Sequence, residues 1–300
     1  MTFNEGANLD TSQVRSGGSS RGGVLLGGGA GSIILVIIGL LLGVNPFEQG
    51  GGGTSAFDTS QVQQAGASDV DFSQCQTGAD ANRDVTCRVI GTVNSVQDYW
   101  RDALPADANR QYRDSYTVLY SGQTQSPCGT ASNAVGPFYC PTDEQIYIDA
   151  AFFDDLTTRF GADGGALAQM YVVAHEYGHH VQNILGVLQH AQQDRQGPTS
   201  GAVRVELMAD CLAGVWAHHA ANTQDEDGTT LIQPLTEADI ASALSAAAAV
   251  GDDRIQESAT GQVNPESWTH GSAEQRQRWF TTGYEAGNLN ACDTLSARTL

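Results

Sequence analysis

The stretch VVAHEYGHHVQ, residues 172–182, carries His175, Glu176, His179 and His180 within a run of ordinary helix formers. On a helix, His175 and His179 project from one face about 6 Å apart, so both imidazoles can reach one tetrahedral Zn2+. Glu176 sits beside the first, where its carboxylate can take a proton from water that the metal activates. His180 falls on a different face and is expected as a surface or rim side chain. A catalytic zinc needs a third protein ligand and one open position. VRVELMADCLAGVWAHHA, residues 203–220, offers Glu206 and Asp210, again four apart on one helical face. Two carboxylates at that spacing repel each other on an exposed helix, which favours a cation nearby. Glu206 is the expected metal ligand. Asp210 is expected to accept the spare N–H of a ligating histidine, His175 in particular, fixing its tautomer.

Two facing helices must position these side chains. Met170, Val173, Tyr177 and Ile184 form an apolar stripe along the first, and Leu207, Leu212, Val215 and Trp216 are available to bury the second. Gly178 costs the first helix about 1 kcal/mol relative to Ala, a cost the fold can tolerate where another backbone or the metal site needs the space. Helical patterns cover roughly 150–160, 165–187, 202–222, 236–250 and 271–286, with GVLQHAQQDRQGPTSG as an exposed connection. Upstream, Val93, Val96, Trp100 and Leu104 recur at helical spacing, and 116–121 and 144–149 read as short strands flanking a turn-rich stretch. The expected class is α+β: a mostly helical domain over residues 70–300 with a small sheet.

HEYGHH followed by ELMADCLAGVWA resembles the gluzincin metallopeptidases, in which H-E-x-x-H is completed by E-x-x-x-D on a following helix. The closer similarity is to a bacterial family of neutral zinc metallopeptidases, whose pattern also includes GPFYCPTDEQIYID and HGSAEQRQRWF, and it covers roughly residues 70–290. The resemblance implies a zincin-like fold with zinc at His175, His179 and Glu206 and with Glu176 as the base. In such enzymes an extended substrate adds to an edge strand above the active-site helix, and FYCPTDEQIYID is the segment placed to supply it. His270, in WTHGSAEQ, is the candidate donor to the oxyanion. His218 and His219 are expected at the surface.

The net charge of −20 argues against nucleic acid or anionic lipid as partners of the main domain. All 14 basic residues are arginine, which removes chemistries that need a lysine amine, such as P-loop ATPases, Schiff-base enzymes and Ser-Lys hydrolases. Val24–Val44 contains no charge and would be about 31 Å long as a helix, matching the ~30 Å hydrocarbon core of a bilayer. A cleaved signal peptide is the alternative, but the apolar stretch is long and no small-x-small site follows it. Arg15 and Arg21 precede the span and the nearest charge after it is Glu48, so the charge bias puts the N-terminus in the cytoplasm.

The expected organisation is a disordered cytoplasmic tail over 1–23, a transmembrane helix over 24–44, a flexible linker over 45–69 and an extracytoplasmic domain over 70–300. Six cysteines suit an exported domain, and the spacing favours Cys75–Cys87 and Cys128–Cys140, leaving Cys211 with Cys292. The function expected is that of a single-pass, membrane-anchored zinc peptidase acting on a peptide or protein substrate. Two alternatives stay open: a zinc-binding surface scaffold without catalysis, and a zinc amidase acting on the cell wall.

Overall fold

The computed structural model describes residues 2–17, 69–224 and 228–300. A short strand, β1 (Val14–Ser16), lies near the start, followed by α1 (Gly78–Arg83) and the long α2 (Val85–Ala108). Next come β2 (Thr117–Tyr120), β3 (Gln123–Ser126), β4 (Gly129–Ser132), β5 (Phe138–Cys140) and β6 (Gln145–Asp149). The rest is helical: α3 (Phe152–Thr158), α4 (Ala166–Leu185), α5 (Gln189–Gln193), α6 (Gly201–His219), α7 (Glu237–Ala249), α8 (Asp252–Thr260) and α9 (Ala273–Ala286). A helix-dominated α+β fold with a small sheet is therefore what forms. The connection read as wholly exposed carries the short α5. α8 and the β3–β4 hairpin, which carry weak periodicity, lay in stretches without an assigned element.

The main sheet runs β1-β2-β6-β5, with β1, β2 and β6 parallel and β5 antiparallel to β6. Side chains alternate across it, as the pleat requires. Leu119, Tyr139, Ile146 and Ile148 enter the main core, whereas Val118, Tyr120, Phe138 and Tyr147 form a smaller cluster on the opposite face with Ala131 of the hairpin. The Cys128–Cys140 disulfide ties that hairpin to β5. Cys75–Cys87 joins the approach to α1 to the first turn of α2, and Cys211–Cys292 joins α6 to the segment after α9. The three pairings are those the spacing favours.

α4 is the central helix, packed against α2, α6 and α7, while α6 lies along α9. Met170, Val173 and Tyr177 are fully buried, and Ile184, near the end, is half-buried. α4 stops where Gly186 takes a left-handed conformation with φ of 75°, a conformation glycine adopts without a Cβ penalty. Gly178 has the reason anticipated for it: a Cβ there would lie 3.0 Å from the Ala209 carbonyl oxygen and 3.1 Å from its Cα. The two site-bearing helices thus approach backbone to backbone.

One expectation needs correction. Residues 2–17 are not a free tail: Phe3 and Ala7 are fully buried in the main core, and β1 adds an edge to the sheet. The polar residues of this segment suggested disorder, but α1 and α2 supply side-chain amides that pair with its backbone. Asn82 accepts from the Thr2 and Phe3 N–H groups and donates to the Phe3 carbonyl, and Asn94 pairs in the same way with both backbone groups of Asp10. The apolar stretch Val24–Val44 and nearly all of the 45–69 linker lie outside the described residues. Among the described residues no helix is long and apolar enough to cross a membrane.

Candidate metal centre

His175 and His179, one turn apart on α4, meet Glu206 of α6 with all three side chains buried. His175 Nε2 lies 3.2 Å from Glu206 Oε2, and His179 Nε2 lies 3.5 Å from Oε1. Each imidazole is oriented from behind. His175 Nδ1–H donates to Asp210 Oδ1 at 2.8 Å, and His179 Nδ1–H donates to Gln182 Oε1 at 2.8 Å. The Gln182 amide then donates to the Val205 carbonyl of α6, pinning the two helices together. Both Nε2 atoms are left facing Glu206.

This donor set fits zinc. A tetrahedral ion with ligand bonds near 2.1 Å holds its ligand atoms about 3.4 Å apart, close to the two separations above. One ligand atom from each of the three residues lies within 4.8 Å of the others. Glu206 Oε1 is buried without a hydrogen-bond partner, as an oxygen meant for a cation would be. The electrostatics agree. Burial opposes charge on His175, yet Asp210 and Glu206 outweigh it and push the imidazole up to about 9. A pocket that draws a proton so strongly also attracts a cation. Burial holds His179 down at about 4, against the pull of Glu206, so that ring is neutral and its lone pair free at neutral pH. Burial works against the Glu206 charge, but His179, His175 and His270 keep its carboxyl well below the usual range.

Behind His175 lies a group that the sequence did not single out. Arg276 of α9 is 1% exposed and forks onto Asp210, with Nε 2.8 Å from Oδ2 and Nη2 2.9 Å from Oδ1. Its remaining donors reach the Val250 carbonyl and the Tyr171 hydroxyl, and Tyr171 itself donates to Asp210 Oδ1. Asp210 therefore stays ionised despite full burial, its charge matched by Arg276 and His175. The available signal was positional: Arg276 shares the buried face of α9 with Ala273, Trp279, Phe280 and Gly283, and an arginine on an apolar face needs a buried partner.

On the other side of the cluster is Glu176, 1% exposed, with Oε2 buried and unpaired. Burial is the main force pushing its carboxyl up to about 7, and Glu206 adds to it, against His175, Arg276 and the Tyr139 main-chain N–H. Tyr139 belongs to β5, an edge strand of the sheet. His270 is buried too. Its Nδ1 lies 3.2 Å from Asp252 Oδ1 and 2.8 Å from the Thr269 hydroxyl. Asp252, at the start of α8, is held in turn by the N–H groups of Thr269, His270 and Gly271 on its other oxygen. Burial disfavours charge on His270, but Asp252 and Glu206 raise its pKa overall. Asp252 is a second residue that sequence reasoning missed, because GDDR reads as a loop between helices.

His180 is not at the surface. It is fully buried, donates through Nε2 to the Arg113 carbonyl at 2.6 Å and accepts at Nδ1 from the Tyr139 hydroxyl. It thereby ties α4 to the strand above Glu176. His218 is exposed and His219 half-buried. They bond the Tyr284 and Gly287 carbonyls at the far ends of α6 and α9 and take no part in the cluster.

A family model described as "Putative neutral zinc metallopeptidase" matches residues 2–295, a wider span than the motifs alone suggested. "Uncharacterized protein Rv2575" of Mycobacterium tuberculosis is 52% identical over the whole length of both chains. "Uncharacterized protein YpfJ" of Escherichia coli K12 is 40% identical over 67% of this chain and 68% of its own. No solved structure matches. With a match running across nearly its whole length, the chain belongs to the family of putative neutral zinc metallopeptidases.

Proposed function

We propose that the protein hydrolyses peptide bonds, with zinc held by His175, His179 and Glu206 and with Glu176 as general base. The observation that carries this reading is the unpaired, buried Glu176 Oε2 beside the ligand cluster. A purely structural zinc site needs no such carboxylate, and leaving one unpaired costs stability. Zinc, when bound, supplies a Lewis acid for the scissile carbonyl. Glu176, with its pKa pushed to about 7, is suited to take a proton from the attacking water and return it to the leaving nitrogen. His270, oriented by Asp252, donates to the carbonyl oxygen as negative charge develops there. Asp210 keeps the His175 proton on Nδ1, so that Nε2 offers its lone pair. A substrate strand laid along the β5 edge would bring its backbone past Glu176.

The protein acts outside the cytoplasm in this reading. Support comes from the pairing of all six cysteines, a pattern of oxidising compartments, and the apolar Val24–Val44 stretch provides a membrane attachment.

A second reading, a zinc-binding scaffold without turnover, is favoured by the burial of the cluster. His175, His179 and Glu176 are each 1% exposed and Glu206 is fully buried, which suits a structural ion. Metal analysis of the purified chain beside Glu176→Gln, with cleavage of a fluorogenic peptide library, separates the two. Catalysis requires a parent that cleaves and a zinc-loaded variant that does not. A zinc-loaded parent that cleaves no peptide leaves the scaffold.

A further inference from the structure

Residues 2–17 are built into the domain along their whole length. Phe3 inserts against Gly91 of α2 so closely that a Cβ at position 91 would lie 2.6 Å from its ring, and Phe3 bridges to Ile232. Backbone hydrogen bonds join Asn4 to Leu231, Leu9 to Gln76 and Gly17 to Leu119. Gln97 reaches Gln13. The Arg15 guanidinium lies 3.4 Å from the centre of the Tyr116 ring.

At the end of this segment, the Ser16 hydroxyl accepts from the Val70 N–H at 2.7 Å. The chain therefore departs after Gly17 and returns at Asp69 in the same place. A hydrogen bond of that length cannot reach across ~30 Å of hydrocarbon. Arg15, one of the two arginines that argued for a cytoplasmic start, is engaged with the domain's own sheet.

We propose that residues 2–17 are a permanent strap of the metal-binding domain, and that the start of the chain lies on the same side of any membrane as residues 69–300. This placement replaces a single crossing with the N-terminus in the cytoplasm. The inference uses the docking of the strap alone and stands whether or not the zinc cluster is catalytic.

Two measurements on the full-length chain test it. In purified protein, the amides of Asn4, Leu9 and Gly17 should exchange with solvent as slowly as those of the sheet. Exchange at the rate of an unstructured peptide would remove the strap. All native cysteines are paired, so Ser12→Cys and Ser258→Cys, both at exposed positions, each introduce a single reactive thiol. A membrane-impermeant maleimide applied to intact cells should treat the two variants alike, labelling both or sparing both until the cells are permeabilised. Labelling of Ser258→Cys with protection of Ser12→Cys would restore the single crossing and overturn the proposal. Phe3→Asp should lower Tm by roughly 5 to 10 °C, since it places a charge in a buried apolar slot, and an unchanged Tm would count against docking.

Discussion

The two flanks of the His175–His179–Glu206 cluster are built on opposite principles. On the α9 side, Asp210, Arg276 and Tyr171 close a charged network in which the carboxylate is hydrogen-bonded at both oxygens. On the β5 side, Glu176 keeps a buried oxygen without a partner. A fully satisfied buried network is rigid and specific, whereas an unsatisfied one costs stability. In the proposed function the two flanks have different tasks: the closed one fixes the geometry of His175, and the open one keeps a carboxylate free to move a proton.

Substitutions should divide along that line. Removing a ligand affects both flanks, so His179→Ala or Glu206→Ala should abolish zinc binding and all hydrolysis, as read by metal content and peptide cleavage. A variant that kept stoichiometric zinc would break the comparison at its centre. On the open flank, Glu176→Gln should keep zinc while turnover falls by a factor of about 10² or more, the usual scale for a general base. On the closed flank, Arg276→Met strands the buried Asp210 charge. Unfolding free energy should fall by about 3 to 5 kcal/mol, and zinc affinity by about 10 to 100-fold through the loosened His175. Loss of turnover with unchanged zinc affinity and Tm would mean that Arg276 belongs functionally to the other flank. Asp252→Asn, which acts on His270 and on the Thr269–Gly271 backbone that carries it, should have the smaller effect of lowering kcat by roughly tenfold with zinc content intact.

The smallest effect is one of pH. Glu176 titrates near 7 in the folded chain against an ordinary value of 4.5, so the folded state binds its proton more tightly than the unfolded state does. Metal-free parent protein should therefore lose stability relative to metal-free Glu176→Gln as pH rises from 4.5 through 7. The difference approaches a limit on the order of 3 kcal/mol above pH 7 and vanishes below 4.5. Chemical denaturation with chelator at pH 4 and pH 8 measures it. Equal stability at both values would mean that Glu176 is not held in a dry pocket.

What the sequence revealed follows the reach of its signals. The histidine pair, the Glu206–Asp210 pair and the apolar stripes of α4 and α6 are separated by three or four residues, and helix geometry alone turns such spacings into a shared face. The disulfides were legible for a similar reason, since two of them close short intervals and leave a single pair over. Arg276 meets Asp210 across 66 positions, and no periodicity reports a pairing of that range. His180 misled because helical phase says which way a side chain points, but not that Tyr139 and Arg113 come down to meet it. Residues 2–17 misled because composition measures how much apolar surface a segment could bury alone, whereas this one buries Phe3 in a slot belonging to α2.

The long-range pairing of Arg276 with Asp210 also sets an order of events during synthesis. A ribosome delivers the two histidines and Glu206 first, then Asp252 and His270, and only afterwards the arginine that completes the scaffold. The cysteine that clamps α6 from beyond α9 arrives last, at position 292. A nascent chain would thus carry its ligands for some time before they are organised to hold an ion, and a chain ending before α9 should bind zinc poorly although every ligand is present. In an enzyme of the proposed kind, such late completion keeps the cutting chemistry silent until α9 and Cys292 have been made.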